Sequence, residues 1–208
     1  METLIVPSVI AKTQEELDGA LEKVKGKAKR IMIDIMDGKF VSNTSLNFDF
    51  NLSPDFEYEA HLMVNRPLDW IEKYASKVSI AVMQVETLDD IRKAIEFAKN
   101  RGLKVTLALN PETGLDVVLP YLREIDSVLI LSVHPGSYCV EFLPETLEKI
   151  KELRKIDKII PIEVDGCMNP KNTKLARGAG ANIFASGSYI IKSDNVDNAI
   201  KELSLAVS

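Results

Sequence analysis

Short runs of β-branched and other apolar residues alternate along the chain with stretches whose apolar residues recur every three or four positions, and the alternation repeats about eight times. The apolar runs predict strands over residues 4–10, 30–36, 57–64, 78–86, 104–110, 127–133, 159–165 and 182–187. The periodic stretches predict helices over residues 15–25, 68–74, 88–101, 115–123, 144–154, 173–179 and 196–206. The strands are apolar nearly throughout, as in Ser127-Val-Leu-Ile-Leu-Ser-Val133, which is how parallel strands covered on both faces read. Eight such units predict an α/β fold, a (β/α)8 TIM barrel, with residues 1–208 as a single domain. The competing topology is an open doubly wound sheet, but Pro7-Ser8 stands after the first strand where that fold carries its glycine fingerprint.

Composition narrows the function classes. Hydrophobic residues make up 46% and charged residues 27% of the 208, so the chain is an ordinary globular protein with enough apolar surface for a full core. Lysine and arginine total 26 against 31 acidic residues, and no basic stripe is present, which argues against nucleic acid as a partner. No run approaches the ~18 apolar residues of a membrane span. The start at Met1-Glu2-Thr3 is acidic and runs into a strand-like segment, unlike a secretory leader, so a cytoplasmic location is expected. Cys139 and Cys167 form no CxxC pair, which excludes a cysteine-built zinc site and agrees with a reducing compartment.

In a barrel of this kind the chemistry sits at the C-terminal strand ends, and polar residues concentrate there: Ser8, Asp34, His61, Asn110, Ser132, Asp165 and Ser188. A carboxylate inside an apolar strand is costly unless paired or metal-bound, so Asp34, His61 and Asp165 at one mouth need a joint explanation. Period-two alternation puts Met32, Asp34 and Met36 on one face, His61 with Met63, and Glu163 with Asp165. Asp34 from the second strand and Asp165 from the seventh could then meet a flat substrate from its two faces, one removing a proton beside a carbonyl and the other returning one. A divalent ion held by Asp34, His61 and Asp165 would stabilise the enediolate and offset the repulsion between the carboxylates. Taken singly, each residue also has a plain structural reading, a hydrogen-bonded core histidine or an aspartate forming a turn before glycine. His134, beside Pro135, has no evident partner, and Glu86 and Glu163 either orient the inner residues or belong to salt bridges.

The segments Pro7-Ser8-Val9-Ile10, Asp34-Ile-Met-Asp-Gly-Lys-Phe-Val41, His61-Leu-Met-Val64, Ala108-Leu-Asn-Pro111, Ser132-Val-His-Pro-Gly136, Ile162-Glu-Val-Asp-Gly166 and Ala185-Ser-Gly-Ser188 resemble the ribulose-phosphate 3-epimerase family, in that family's order. The resemblance implies a barrel enzyme of the pentose phosphate pathway that interconverts D-ribulose 5-phosphate and D-xylulose 5-phosphate. It implies Asp34 and Asp165 as acid/base pair, and Asp34, His61 and Asp165 as ligands to a divalent ion such as Zn, Fe, Mn or Co. It further implies Ser8, Met36, His61, Met63, Gly136, Gly166, Gly187 and Ser188 as substrate-binding residues, a small phosphosugar as ligand, and a homo-oligomer.

This chain departs from the family at several positions. Met32 stands where the family has a fourth, histidine ligand, so weakened or absent metal binding is expected, a thioether being a poor partner for a hard ion. Tyr138, Cys139 and Cys167 replace glycines of the phosphate loops, and Gln84 replaces a histidine common in the fourth strand. Cys139 and Cys167 are expected beside one small volume, either as space fillers or within the ~4.4 to 6.8 Å that a disulfide bridges, with Tyr138 crowding the phosphate. The alternatives are a family member with a changed sugar and a catalytically silent sugar-binding paralogue. The related phosphate-binding decarboxylases and synthases need an Asp-x-Lys-x-x-Asp spacing that Lys39 does not supply.

Overall fold

A computed structural model of the protein describes residues 2–136 and 141–208. Its strands are β1 (Leu4–Val9), β2 (Arg30–Asp37), β3 (Thr44–Ser45), β4 (Glu57–Met63), β5 (Ile80–Gln84), β6 (Lys104–Leu109), β7 (Ser127–Leu131), β8 (Ile162–Asp165) and β9 (Ile183–Ser186). Every strand but β3 pairs in parallel with both neighbours, in the order β1-β9-β8-β7-β6-β5-β4-β2, and β2 pairs back onto β1. The eight parallel strands therefore close into a barrel, a TIM barrel, while β3 lies antiparallel along the end of β2. The helices are α1 (Gln14–Val24), α2 (Pro67–Tyr74), α3 (Ile91–Lys99), α4 (Thr146–Ile156), α5 (Pro170–Ala179), α6 (Ser188–Ile191) and α7 (Val196–Ala206).

Two apolar layers follow from the alternation along each strand. Ile31, Ile33 and Ile35 of β2 and Tyr58, Ala60 and Leu62 of β4 point outward and pack with buried helix residues such as Leu17, Ile71 and Ile150. The inward set, with Val6, Met32, Val82, Leu129, Leu131 and Ala185, fills the barrel interior. None of the described helices is long and apolar enough to cross a membrane.

The departures from the sequence reading have local causes. Residues 115–123 are not an α-helix but two 3-10 turns, Leu115–Val117 and Leu119–Tyr121, because Pro120 removes a backbone donor in mid-segment. The strand expected from residue 159 begins at Ile162: Asp157 accepts from the backbone N–H groups of Ile159 and Ile160 at 2.8 Å, and Pro161 follows without a donor. The helix expected from residue 88 starts at Ile91, where Asp90 caps it through Lys93 N, after a 3-10 turn at Val85–Thr87. That expected from residue 173 starts at Pro170, with Asn169 capping through Asn172 N.

Candidate functional site

Parallel register decides which side chains share a level inside the barrel. Asp34 is paired with His61, and Val82, two residues before Gln84, lies on the other side of His61. Asp165 sits in register with Leu131 and Ala185. Asp34 and Asp165 are therefore three strands apart around the barrel, with their side chains at one mouth. His61 Nδ1 lies 3.2 Å from Asp34 Oδ1 and 3.7 Å from Asp165 Oδ2. The ligand atoms of the three residues all fall within 4.8 Å of one another, a group that could hold a metal ion. On its far side, His61 Nε2 is 2.9 Å from the side-chain nitrogen of Gln84.

Above this floor opens a small cavity of about 60 Å³. Asp34 and Asp165 line it, as do Ser8, Met36, Met63, Gly136, Gly166, Gly187 and Ser188 of the expected substrate-binding set. His61 is fully buried beneath and reaches the cavity only through the aspartates. Ile10, Val133, Pro135 and Met168 also line the cavity; none carries a polar side chain, so no chemical signal pointed to them. Met32 is fully buried in the barrel's apolar interior and is not part of the cavity wall.

Two of the glycines have a packing cause. At Gly166 φ is +113°, and a Cβ there would come within 2.6 Å of the Val133 side chain. At Gly136 φ is +96°, and a Cβ would come within 2.5 Å of Val41. Gly166→Ala should lower stability by about 1–3 kcal/mol, from backbone strain plus displacement of Val133. Denaturant unfolding of this variant measures it, and an unchanged midpoint would mean that Val133 yields freely.

Cys167, on the cavity wall, adopts a left-handed φ of +53°, which side-chain-bearing residues rarely take. It is disulfide-bonded, so the space-filling reading of a free thiol does not hold for it. Tyr138 and Cys139 lie outside the described residues. His134, expected to stand without a partner, has one: its Nδ1 is 3.1 Å from Glu112 Oε1, in an exposed pair of small energetic consequence. Glu86 turns out to hold the loop after β6, accepting from Asn110 N at 2.9 Å.

Burial raises the Asp165 carboxyl, the charge of Asp34 raises it further, and His61 only partly offsets them, so it is pushed up to about 7. Burial works against a charged His61, but its hydrogen bond to Asp34 and the charges of Asp34, Asp165 and Glu59 prevail and raise it. One level down, Glu59 and Glu163 are each 1% exposed. Burial raises both, and the neighbouring Glu59 charge raises Glu163 further, so Glu163 keeps its proton beside Glu59, whose two buried oxygens have no other hydrogen-bond partner. Arg30 Nη1 stands 3.5 Å from Glu59 Oε2. The part played by Glu59 went unread in the sequence, although its place two residues before His61 puts it on the same inward face.

The sequence model of the Ribulose-phosphate 3 epimerase family matches residues 4–191. The chain belongs to the ribulose-phosphate 3-epimerase family. It is 30% identical to the ribulose-phosphate 3-epimerase of Bacillus subtilis over 210 residues, covering 96% of this chain and 97% of that protein. The ribulose-phosphate 3-epimerase of Chlamydia pneumoniae is 33% identical over 177 residues, covering 80% and 77%. Among solved structures, the KGPDC of Streptococcus mutans superposes with a TM-score of 0.71 over 99% of this chain and 97% of that one, at 14% identity. A 3-hexulose-6-phosphate synthase does so with a TM-score of 0.68 over 99% and 100%, at 16% identity. At such identities these two likenesses speak for the barrel alone; membership of the epimerase family rests on the sequence relatives.

Proposed function

We propose that the protein is a ribulose-phosphate 3-epimerase, interconverting D-ribulose 5-phosphate and D-xylulose 5-phosphate. The observation that carries the reading is the pair Asp34 and Asp165, two carboxylates at one cavity floor of which one, Asp165, is held up to about 7. Inversion by two groups needs one of them ionised to take the proton from carbon 3 and the other protonated to return one on the opposite face. Two carboxylates at one cavity floor, either of which can take up the proton while the other gives one, meet this need in either direction of the reaction. In the metal-free site His61, donating from Nδ1 to Asp34, orients that carboxylate, while Ser8, Met36 and Met63 flank the sugar and Gly187 and Ser188 face its phosphate end.

The donor set of two carboxylates and an imidazole suits Zn, Fe, Mn or Co, and Asp34, His61 and Asp165 would hold the ion. Once bound, such an ion supplies Lewis-acid stabilisation of the enediolate oxygens. Met32 brings a thioether to the level below, so Met32→His should tighten divalent-ion binding. Titration with Zn²⁺ and Mn²⁺ checks this, and no gain for either would show that a side chain at position 32 does not reach the ion.

The test of the function is incubation with D-ribulose 5-phosphate in deuterated water. Formation of D-xylulose 5-phosphate with one deuterium at carbon 3 is expected. A protein that binds the sugar without exchanging that proton would be the silent paralogue instead. The left-handed Cys167 on the cavity wall favours a second reading, a family member with a changed sugar, which the same assay with other ketose phosphates would reveal.

A further inference from the structure

Gln84 closes the barrel interior behind His61. Its side chain is fully buried, its Nε2 is 2.9 Å from His61 Nε2, and its Oε1 is buried without a hydrogen-bond partner. An amide nitrogen only donates, so in this arrangement His61 Nε2 is the acceptor. The ring proton then sits on Nδ1, where it points at Asp34 Oδ1 3.2 Å away. In that tautomer Nδ1 has no lone pair to offer, although Nδ1 is the nitrogen that faces both aspartates. Turning the Gln84 amide over about its last torsion exchanges donor for acceptor. The orphaned Oε1 then accepts a hydrogen bond from His61 Nε2–H, and the Nδ1 lone pair is freed toward Asp34 and Asp165.

We propose that Gln84 is a two-position selector of the His61 tautomer: as donor it keeps His61 protonated on Nδ1 against Asp34, and as acceptor it makes Nδ1 a ligand for a divalent ion. The ring carries one proton in both positions; Nδ1 gives one up to solvent and Nε2 takes one, so the charge of the imidazole does not change. An amide serves both positions, whereas a carboxylate accepts and does not donate, and an apolar side chain does neither. Gln84 is thus a positioning residue that acts through His61. The proposal rests on the metal-dependent reading above, but its test does not depend on turnover.

The chain has two histidines, so long-range proton–nitrogen NMR resolves the ring of His61 from that of exposed His134. In the metal-free protein, at a pH above the raised range in which the ring carries two protons, His61 is expected as the Nδ1–H tautomer, and on addition of Zn²⁺ as the Nε2–H tautomer. Gln84→Met, which can neither donate nor accept, should weaken Zn²⁺ binding about 10–100-fold, the usual effect of losing such a partner behind a ligating histidine. Gln84→Glu, which still accepts from Nε2–H, should bind Zn²⁺ at least as tightly as the native protein. The same tautomer with and without Zn²⁺, equal affinity in Gln84→Met, or an equal loss in Gln84→Glu would each overturn the proposal, as would failure of the native protein to bind Zn²⁺. Tautomer exchange without epimerisation would leave the proposal standing and overturn the proposed reaction.

Discussion

Asp34→Asn and Asp165→Asn should each lower turnover of D-ribulose 5-phosphate by about 10²–10⁴-fold while leaving the unfolding midpoint close to the native one, that range being what a positioned general acid or base contributes. Asparagine keeps the shape of aspartate and can still accept from His61 Nδ1 at position 34, so the packing of the mouth survives. What it loses is the ability to take up or give back a proton. The two substitutions differ in one further respect. After burial, the Asp34 charge is the largest cause that raises Asp165, so in metal-free Asp34→Asn the Asp165 carboxyl should titrate below the native value of about 7. Carboxyl-carbon NMR against pH reads this directly. Near-native turnover in either variant would remove that aspartate from the proton transfer, and an unmoved Asp165 would mean that the two carboxyls do not sense each other.

Asp34, His61 and Asp165 were legible in the sequence because three signals coincide at them: a period-two face, a strand end and a residue type that apolar strands do not otherwise hold. Glu59 carries the first and third signals and was still missed. The segment Glu57-Tyr-Glu-Ala-His61 alternates polar and apolar, which ordinarily marks a strand with one solvated face. In this barrel the apolar side faces the helices and the polar side faces inward, so the usual inference inverts. The segment at residues 115–123 misled in another way. Its leucines and valines fall at helical spacing, and only the backbone chemistry of Pro120 breaks them into two short turns. Side-chain spacing reads faces well, whereas closure of a backbone ladder depends on single donors that a pattern of apolar residues does not encode.

Arg30→Met should cost about 3–5 kcal/mol at pH 8, the range for removing one partner of a buried ion pair, and clearly less at pH 5. Arg30 is the cation next to the Glu59 and Glu163 level, with Nη1 3.5 Å from Glu59 and Nε 3.1 Å from the outer Glu57. Its loss would leave two buried carboxyls whose remaining way to avoid burying charge is to stay protonated. Glu163 already does so: burial, then the charge of Glu59, hold its proton on well above the ordinary glutamate range. Above that range the unfolded chain has released the proton and the folded chain has not, so rising pH favours unfolding by about 1.4 kcal/mol per pH unit for each such group. Without Arg30 both carboxyls move further up and the loss extends to higher pH. Glu163→Gln should act in the opposite direction. Its amide N–H replaces the Glu163 proton as donor to Glu59, Glu59 is held ionised by Arg30, and the share of the proton uptake linked to folding that Glu163 carries disappears. Relative to the native protein, Glu163→Gln should therefore be more stable at pH 8 than at pH 5, with a flatter pH profile. Denaturant unfolding of both variants at the two pH values decides the matter, and stability offsets independent of pH would show that no proton is held between Glu59 and Glu163.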